Sequence, residues 1–440
     1  MFLLAVLNVL VLVAFSLSVR RMSIYLYSIV NFMLFLLPVF LAATLGAFHP
    51  RFRPYHADLY PTALIFVLLF NVTFALTFTS LVHRLPELRI LQRIRRSNRL
   101  DAPAGLAPLV VFVAAVLGVS VGSKLILNSM GAFRMLDAVA MSSMLQFYKE
   151  LGGLDLFLLA YLGELKRRPS APGGVNAVYL FAMGVSVIAA LISGSRFQVI
   201  MVLLLAAIAH RDTLKRHIVL TIASLFVILP NVAVIFPLLA FYRRNGYDLG
   251  TAVERVGSTV GDRPMLLLEI TTQRLNYFHV FASVMDQVRQ TGPAGGLVYW
   301  NNIIGVVPRL LWPGKPEISN DSRQLGHALG MVTADDRTTS IGLQIIGEAF
   351  YEFGWLGLMV AVLQGLLFAF AERQLGHRSS PAFYALYISA VVYLLSRDGY
   401  FAIVPGLIWL SIGFAMFLLL GHFAIGAGTA DPRAASRRAI

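Results

Sequence analysis

Runs of about twenty apolar residues recur along this chain, and that recurrence constrains the fold more than any other feature of it. A helix needs about twenty residues to cross the roughly 30 Å hydrocarbon core of a bilayer. In hydrocarbon it must also satisfy its own backbone hydrogen bonds. Windows of this kind fall at 2–19, 23–46, 62–82, 104–123, 175–193, 197–210, 217–240, 342–371, 382–396 and 401–421. A weaker window, 147–165, carries Asp155 and Glu164. Together they predict an all-α integral membrane protein of about eleven transmembrane helices, forming one polytopic domain over residues 1–440. Composition agrees: 58% of residues are hydrophobic and 13% charged, against about 45–50% and about 25% in a soluble domain. The apolar stretch Met1–Val19 has no preceding basic region and no small-residue cleavage site, so it is expected to remain as a span.

The connectors between spans alternate in charge. Those at 20–21, 83–102, 166–174, 210–217 and 372–381, with the C-terminal tail, hold more than half of the 36 lysines and arginines. The densest, 83–102, has six arginines. Connectors of the other set carry few: Arg51 and Arg53, Lys124, Arg134 and Lys149, Arg196, and Arg397. The positive-inside bias places the first set in the cytoplasm and the N-terminus outside it. Residues 241–340 then form a large extracytoplasmic segment, long enough to be exempt from the charge bias and expected to carry short helices. The net charge of +14 reflects arginines that flank spans, so membrane orientation and anionic lipid explain it, and no nucleic-acid partner is expected. The chain has no cysteine, which excludes disulfides, thiolate metal sites and cysteine nucleophiles.

The outer segment holds ten Lys/Arg residues between Arg243 and Arg337. Asp262-Arg263-Pro264 predicts a helix to about Gln290, with Asp262 as its cap and Pro264 in the first turn. Leu267, Ile270, Phe278, Phe281 and Met285 recur on one face. Arg274 falls in the middle of that face, with Arg263 about three turns earlier. Either Arg274 snorkels or pairs with a buried carboxylate, or this face borders a lipid headgroup. After Gly292-Pro293-Ala294-Gly295-Gly296 comes an amphipathic patch, Leu297 to Trp312, whose aromatics suit a bilayer interface or a sugar ring. Arg309 and Lys315 follow in Pro308-Arg309-Leu310-Leu311-Trp312-Pro313-Gly314-Lys315-Pro316, then Arg323 and His327 in a polar stretch, and Arg337 just before the next span.

Arg196 and Arg397 sit in turns between spans that are too short to reach far into water. Charges near membrane depth face a cavity or a ligand. A guanidinium meets two anionic oxygens at once, so the ligand these arginines suit is a lipid bearing phosphate or pyrophosphate. Glu348 and Glu352 are spaced i, i+4 on one helix face. Within a span a carboxylate neutralises arginine or accepts a proton; both roles are open to Glu348, and Glu352 suits the structural one. His279, His327 and Asp398 are the other available bases. No Asp/His cluster has metal-ligand spacing, so neither metal nor cofactor is expected.

Three runs carry a resemblance: the turn Gly194-Ser195-Arg196, the run at 308–316, and Gly347-Glu348-Ala349-Phe350-Tyr351-Glu352-Phe353-Gly354. They resemble the oligosaccharide repeat-unit (O-antigen) polymerases of the Wzy type. The resemblance implies a multi-span, metal-independent glycosyltransferase of the GT-C type in a bacterial inner membrane, with its site facing the periplasm. Such an enzyme moves a growing glycan from undecaprenyl pyrophosphate onto an undecaprenyl-pyrophosphate-linked acceptor repeat unit, and a separate chain-length regulator is a partner the resemblance admits. It places Arg196 and Glu348 in catalysis, and Arg309 and Lys315 on the substrate. The placement of Arg263, Arg274, Arg323, Arg337 and Arg397 adds them to the pyrophosphate-binding set. The paired outer loops with an Arg-x10-Gly spacing seen in some members are not evident. Two alternatives stay open: a polysaccharide ligase of the same topology, and a transporter or flippase. Pro230, Pro237 and the intramembrane charges suit broken transporter helices, while the absence of an inverted repeat and the 100-residue outer segment speak against a carrier.

Overall fold

The computed structural model describes residues 1–45, 57–97, 100, 105–129, 151–192, 196–211, 249–262, 277–297, 300, 304, 312, 314, 343–376, 380–396 and 403–427. Among them every regular element is a helix. α1 is Phe2–Val19 and α2 Met22–Asn31; a π turn at Phe32–Leu36 leads into α3, Leu37–Leu45. A 3-10 turn, Ala57–Leu59, precedes α4, Tyr60–Leu81, which is followed by α5, Arg89–Ser97, and α6, Leu106–Ser129. Next come α7 (Leu154–Leu165), α8 (Val175–Ile192), α9 (Arg196–Ala209), α10 (Leu249–Asp262) and α11 (Tyr277–Thr291). α12 (Gln344–Phe353), a 3-10 turn (Gly354–Gly357), α13 (Leu358–Leu375), α14 (Pro381–Ser396) and α15 (Ile403–Ala427) complete the order. In their described parts the expected spans overlap helices; 217–240 lies outside the described residues, and 342–371 is interrupted by a 3-10 turn. Among the described residues, five helical segments are long and apolar enough to cross a membrane by length and composition.

The helices pack as two bundles. α1, α2, α4 and α13 form one, with α4 central against α1 and α13. α6, α8, α9, α14 and α15 surround α7 in the other, and α14 joins the two through α13 and α2. Small residues set the closest crossings. A Cβ on Gly365 of α13 would lie 2.8 Å from Thr77 Cβ and 3.0 Å from the Phe74 carbonyl oxygen of α4. A Cβ on Gly163 of α7 would lie 2.8 Å from Ala209 Cβ of α9. Without a side chain in the way, dispersion contacts between the backbones hold such pairs together in a lipid setting. Large apolar side chains such as Leu3, Met359, Leu356 and Phe423 point outward and stay exposed, as a lipid-facing perimeter requires.

α7, the weakest span by sequence, is buried along its whole length. Its two carboxylates are what weaken the hydropathy, and both are paired. Asp155 accepts from Lys124 Nζ at 2.6 Å, with the two side chains 1% and 2% exposed. Glu164 lies 3.4 Å from the Arg211 guanidinium, which also donates to the Tyr384 hydroxyl at 2.8 Å.

The basic connectors gather at one end of the molecule. Arg373 Nε donates to the Leu85 carbonyl (3.2 Å) and Gln374 Nε2 to that of Pro86 (2.6 Å), tying the end of α13 to the turn after α4. Arg21 reaches Glu372 at 3.5 Å. Lys166 Nζ lies 3.0 Å from His210 Nε2, and the Tyr161 hydroxyl donates to the Leu100 carbonyl at 2.8 Å. Residues 20–21, 83–88, 100, 166, 210–211 and 372–374 therefore share one end, and the helices they join alternate in direction.

Three local expectations change. Asp262 is helical, within α10, where the apolar row Leu249, Val253, Val256, Val260 makes 249–262 helical; residues 263–276 of the helix expected from Arg263 lie outside the described residues. Lys124 lies within α6, not in a connector, because its pairing with Asp155 lets the helix run on to Ser129. The span at 342–371 is broken: Gly354, at φ 57°, ends α12, and the 3-10 turn offsets α13 from it.

Candidate functional site

The site region lies at the end opposite the basic connectors. α11 packs on α12, on the π turn, on α3 and on the outer end of α4. The joint is aromatic. Phe281 meets Phe35, Phe66 and Phe350 edge-on or tilted, Tyr60 meets Phe278 at 4.9 Å between ring centroids, and Trp355 packs on Phe66 and Phe350. Edge-to-face pairs of this kind add about 0.5–1.5 kcal/mol each beyond burial, so α11 and α12 form a fixed platform. Phe278, Phe281 and Met285 are buried on the face the sequence indicated. Leu267, Ile270 and Arg274 lie outside the described residues.

The glycine-rich turn after α11 clamps the end of α12. The Ala294 N–H donates to the Tyr351 carbonyl at 3.0 Å and the Gly295 N–H to the Glu352 carbonyl at 2.8 Å. Both acceptors belong to the last turn of α12, whose carbonyls have no intrahelical partner. Gly292, Gly295 and Gly296 take φ of 81°, 73° and 89°, a left-handed backbone that glycine adopts without steric cost. A Cβ on Gly296 would touch the Phe353 ring at 3.4 Å.

These contacts account for much of the run Gly347 to Gly354. Phe350 joins the aromatic joint, Phe353 seats on Gly296, and Gly354 turns the chain. Glu352 is completely buried, as its structural reading requires. Glu348, one turn earlier, is likewise a buried carboxyl, 4% exposed, in the middle of the ten-residue α12. Four residues earlier on the same face, Gln344 begins α12 with φ 51°, a conformation a residue with a Cβ adopts only when its surroundings impose it.

Arg196 is the first residue of α9. The other end of that helix, at His210 and Arg211, meets Glu164 and Tyr384 among the basic connectors. Fourteen residues of helix at about 1.5 Å each place Arg196 about 20 Å from that end, on the same side of the molecule as α12. Arg263, Arg274, Arg309, Lys315, Arg323, Arg337 and Arg397 lie outside the described residues, as do His327 and Asp398. Trp300, Trp312 and Trp355 are exposed on this side, a placement suited to the interface between hydrocarbon and water. Among the described residues no group of three or more His, Asp and Glu is arranged to hold a metal ion.

A second polar assembly, at the basic end, escapes a reading of motifs. Glu372 accepts from Ser23 Oγ at 2.8 Å and from the Tyr387 hydroxyl, and it pairs with Arg21; Tyr387 in turn accepts from the Ser23 N–H at 3.0 Å. This network pins α2, α13 and α14 together. Next to it, Lys166 lies over the Tyr179 ring at 4.1 Å, with its Nζ 3.0 Å from His210 Nε2. Burial, and then the Arg167 guanidinium, hold Lys166 below the usual lysine value. Burial, and then the Lys166 ammonium, hold His210 below the usual imidazole value. The sequence signal was a carboxylate or histidine bordering an apolar run, which spacing alone does not connect to its partner.

No family model, no curated protein and no solved structure matches this chain.

Proposed function

We propose that the chain is a membrane glycosyltransferase of the O-antigen polymerase type. It extends a lipid-linked glycan by transferring it from undecaprenyl pyrophosphate to the acceptor repeat unit of a second lipid. The observation that carries this reading is Glu348: a buried carboxyl on a short, clamped helix, away from the basic connectors and directly after the segment that holds ten lysines and arginines. Arg196 adds to it. A helix N-terminus carries about half a positive charge, so an arginine at the first position gains nothing from its own helix. A phosphate there is attracted by both.

In this reading about eleven helices cross a bacterial inner membrane with the N-terminus and residues 241–340 on the periplasmic side. An acceptor sugar hydroxyl attacks the anomeric carbon of the donor glycan. Its proton passes to the Glu348 carboxylate, and the bond from the anomeric carbon to the pyrophosphate oxygen breaks. The negative charge that develops on that oxygen is met by Arg196 and by arginines of the outer segment. Donors fixed in advance at developing charge supply the largest share of many rate enhancements.

The test is glycan length at matched membrane abundance. Glu348→Gln keeps shape and hydrogen bonding but accepts no proton, and should abolish long chains. Arg196→Lys keeps charge but loses the two-pronged geometry, and should shorten them sharply. Wild-type length distributions in both variants would overturn the assignment.

A further inference from the structure

We propose that α5 is an interfacial helix that binds anionic phospholipid headgroups at the membrane surface where the basic connectors gather. The helix is fixed there by its N-terminal flank. The Leu88 N–H donates to Gln374 Oε1 at 2.9 Å, Gln374 returns a bond to the Pro86 carbonyl, and Arg373 pairs with Glu87 at 3.6 Å. α4 ends at Leu81 and α6 begins at Leu106, so α5 is held level with the ends of apolar helices. Leu91 packs against the bundle. Beside it Leu88, Ile90 and Ile94 are 42%, 66% and 41% exposed.

Ile90, Leu91 and Ile94 share one side at helical spacing, and Arg89 and Arg93, both exposed, fall on the other. The helix also contains Arg95 and Arg96 and no carboxylate. The acid that precedes it, Glu87, is engaged by Arg373 and by Gln92 Nε2 at 2.9 Å. A helix this polar cannot cross a bilayer, and isoleucines this exposed gain nothing from facing water. Lying in the headgroup region satisfies both: the isoleucines enter the acyl boundary and the guanidinium groups meet phosphate. Charge complementarity selects the lipid, because each arginine near the surface favours an anionic headgroup over a zwitterionic one.

The experiment uses the full chain, in which a single introduced cysteine is the only one. Ile90→Cys carrying an environment-sensitive fluorophore is reconstituted in phosphatidylcholine vesicles with and without phosphatidylglycerol, each also containing a headgroup-level nitroxide lipid. Quenching should rise about threefold when phosphatidylglycerol is present, fall again in high salt, and lose that rise in the Arg89→Gln/Arg93→Gln background. Only protein and lipid are present, so an unquenched label at position 90 in both vesicle types would mean that this face awaits a protein, and the proposal fails. Equal quenching in both would mean apolar contact without headgroup selection, and the anionic occupant fails. Monodisperse elution of each variant establishes that the bundle is intact before quenching is compared.

Discussion

Breaking the Lys124–Asp155 pair tests the packing of the bundle most sharply. The pair joins α6 to α7 at 2.6 Å and is shut off from solvent. Asp155 Oδ1 is left without a hydrogen-bond partner, so the carboxylate relies on the single ammonium. Removing one member of a buried pair costs about 3–5 kcal/mol, whereas replacing both with apolar residues of similar size is close to neutral. Lys124→Met, which strands the Asp155 carboxylate, and Asp155→Leu, which strands the Lys124 ammonium, should each cost about 3–5 kcal/mol. Lys124→Met/Asp155→Leu should lie within about 1 kcal/mol of wild type. Reversible unfolding in mixed micelles, followed by tryptophan fluorescence across a denaturing-detergent titration, gives the three differences and their coupling. Additive losses in the double variant, or single losses below about 1 kcal/mol at pH 7, would show that the pair is not the buried, mutually dependent contact described here.

Gly365→Ala should destabilise the same unfolding equilibrium by about 1–3 kcal/mol, because its new methyl meets Thr77 and the α4 backbone and one of the helices must shift; an unchanged midpoint would refute the close crossing. His210 is held below the usual imidazole value. Its contribution is therefore complete above about pH 6.5 and is lost as pH falls through that value toward the folded one. Thermal midpoints measured at about pH 7.5 and about pH 5.5 should differ, and His210→Gln should shrink the difference; an equal difference in that variant would assign it elsewhere. Gly295→Val puts a β-branched residue at φ 73° and should loosen the clamp on α12, read as faster proteolysis between α11 and α12; unchanged cleavage rates would argue that the clamp is dispensable.

Much of the fold was legible because a span announces itself in a single property. Windows of about twenty apolar residues locate α1, α4, α6, α8, α13 and α15 without reference to any partner. The parts that resisted depend on pairing. Asp155 and Glu164 depress the hydropathy of α7, yet Lys124 and Arg211, 31 and 47 residues away, neutralise them, and the weakest span becomes the most enclosed helix. Lys124 reads as a connector residue for the same reason. Asp262 followed by Pro264 reads as a helix start, yet the preceding apolar row already makes Asp262 helical. For the candidate site, spacing singled out Glu348 and Glu352 together, and both are buried, which either role of a carboxylate, pairing or proton acceptance, accommodates. The run around them owes much of its pattern to packing, since Phe350, Phe353 and Gly354 each answer to a contact or a turn. Periodicity puts Arg274 on a helix face but does not name its partner, and Arg309, in a stretch without periodicity, could be placed by residue type alone.

The central claim is that this bundle lengthens a glycan on a lipid. Purified protein in vesicles, supplied with labelled undecaprenyl-pyrophosphate-linked repeat units and no ion gradient, tests it directly by the size distribution of the labelled glycan. The account predicts a ladder of products longer than one repeat unit, absent with Glu348→Gln. Label that crosses the bilayer or attaches to a different acceptor while remaining one repeat unit long would contradict it.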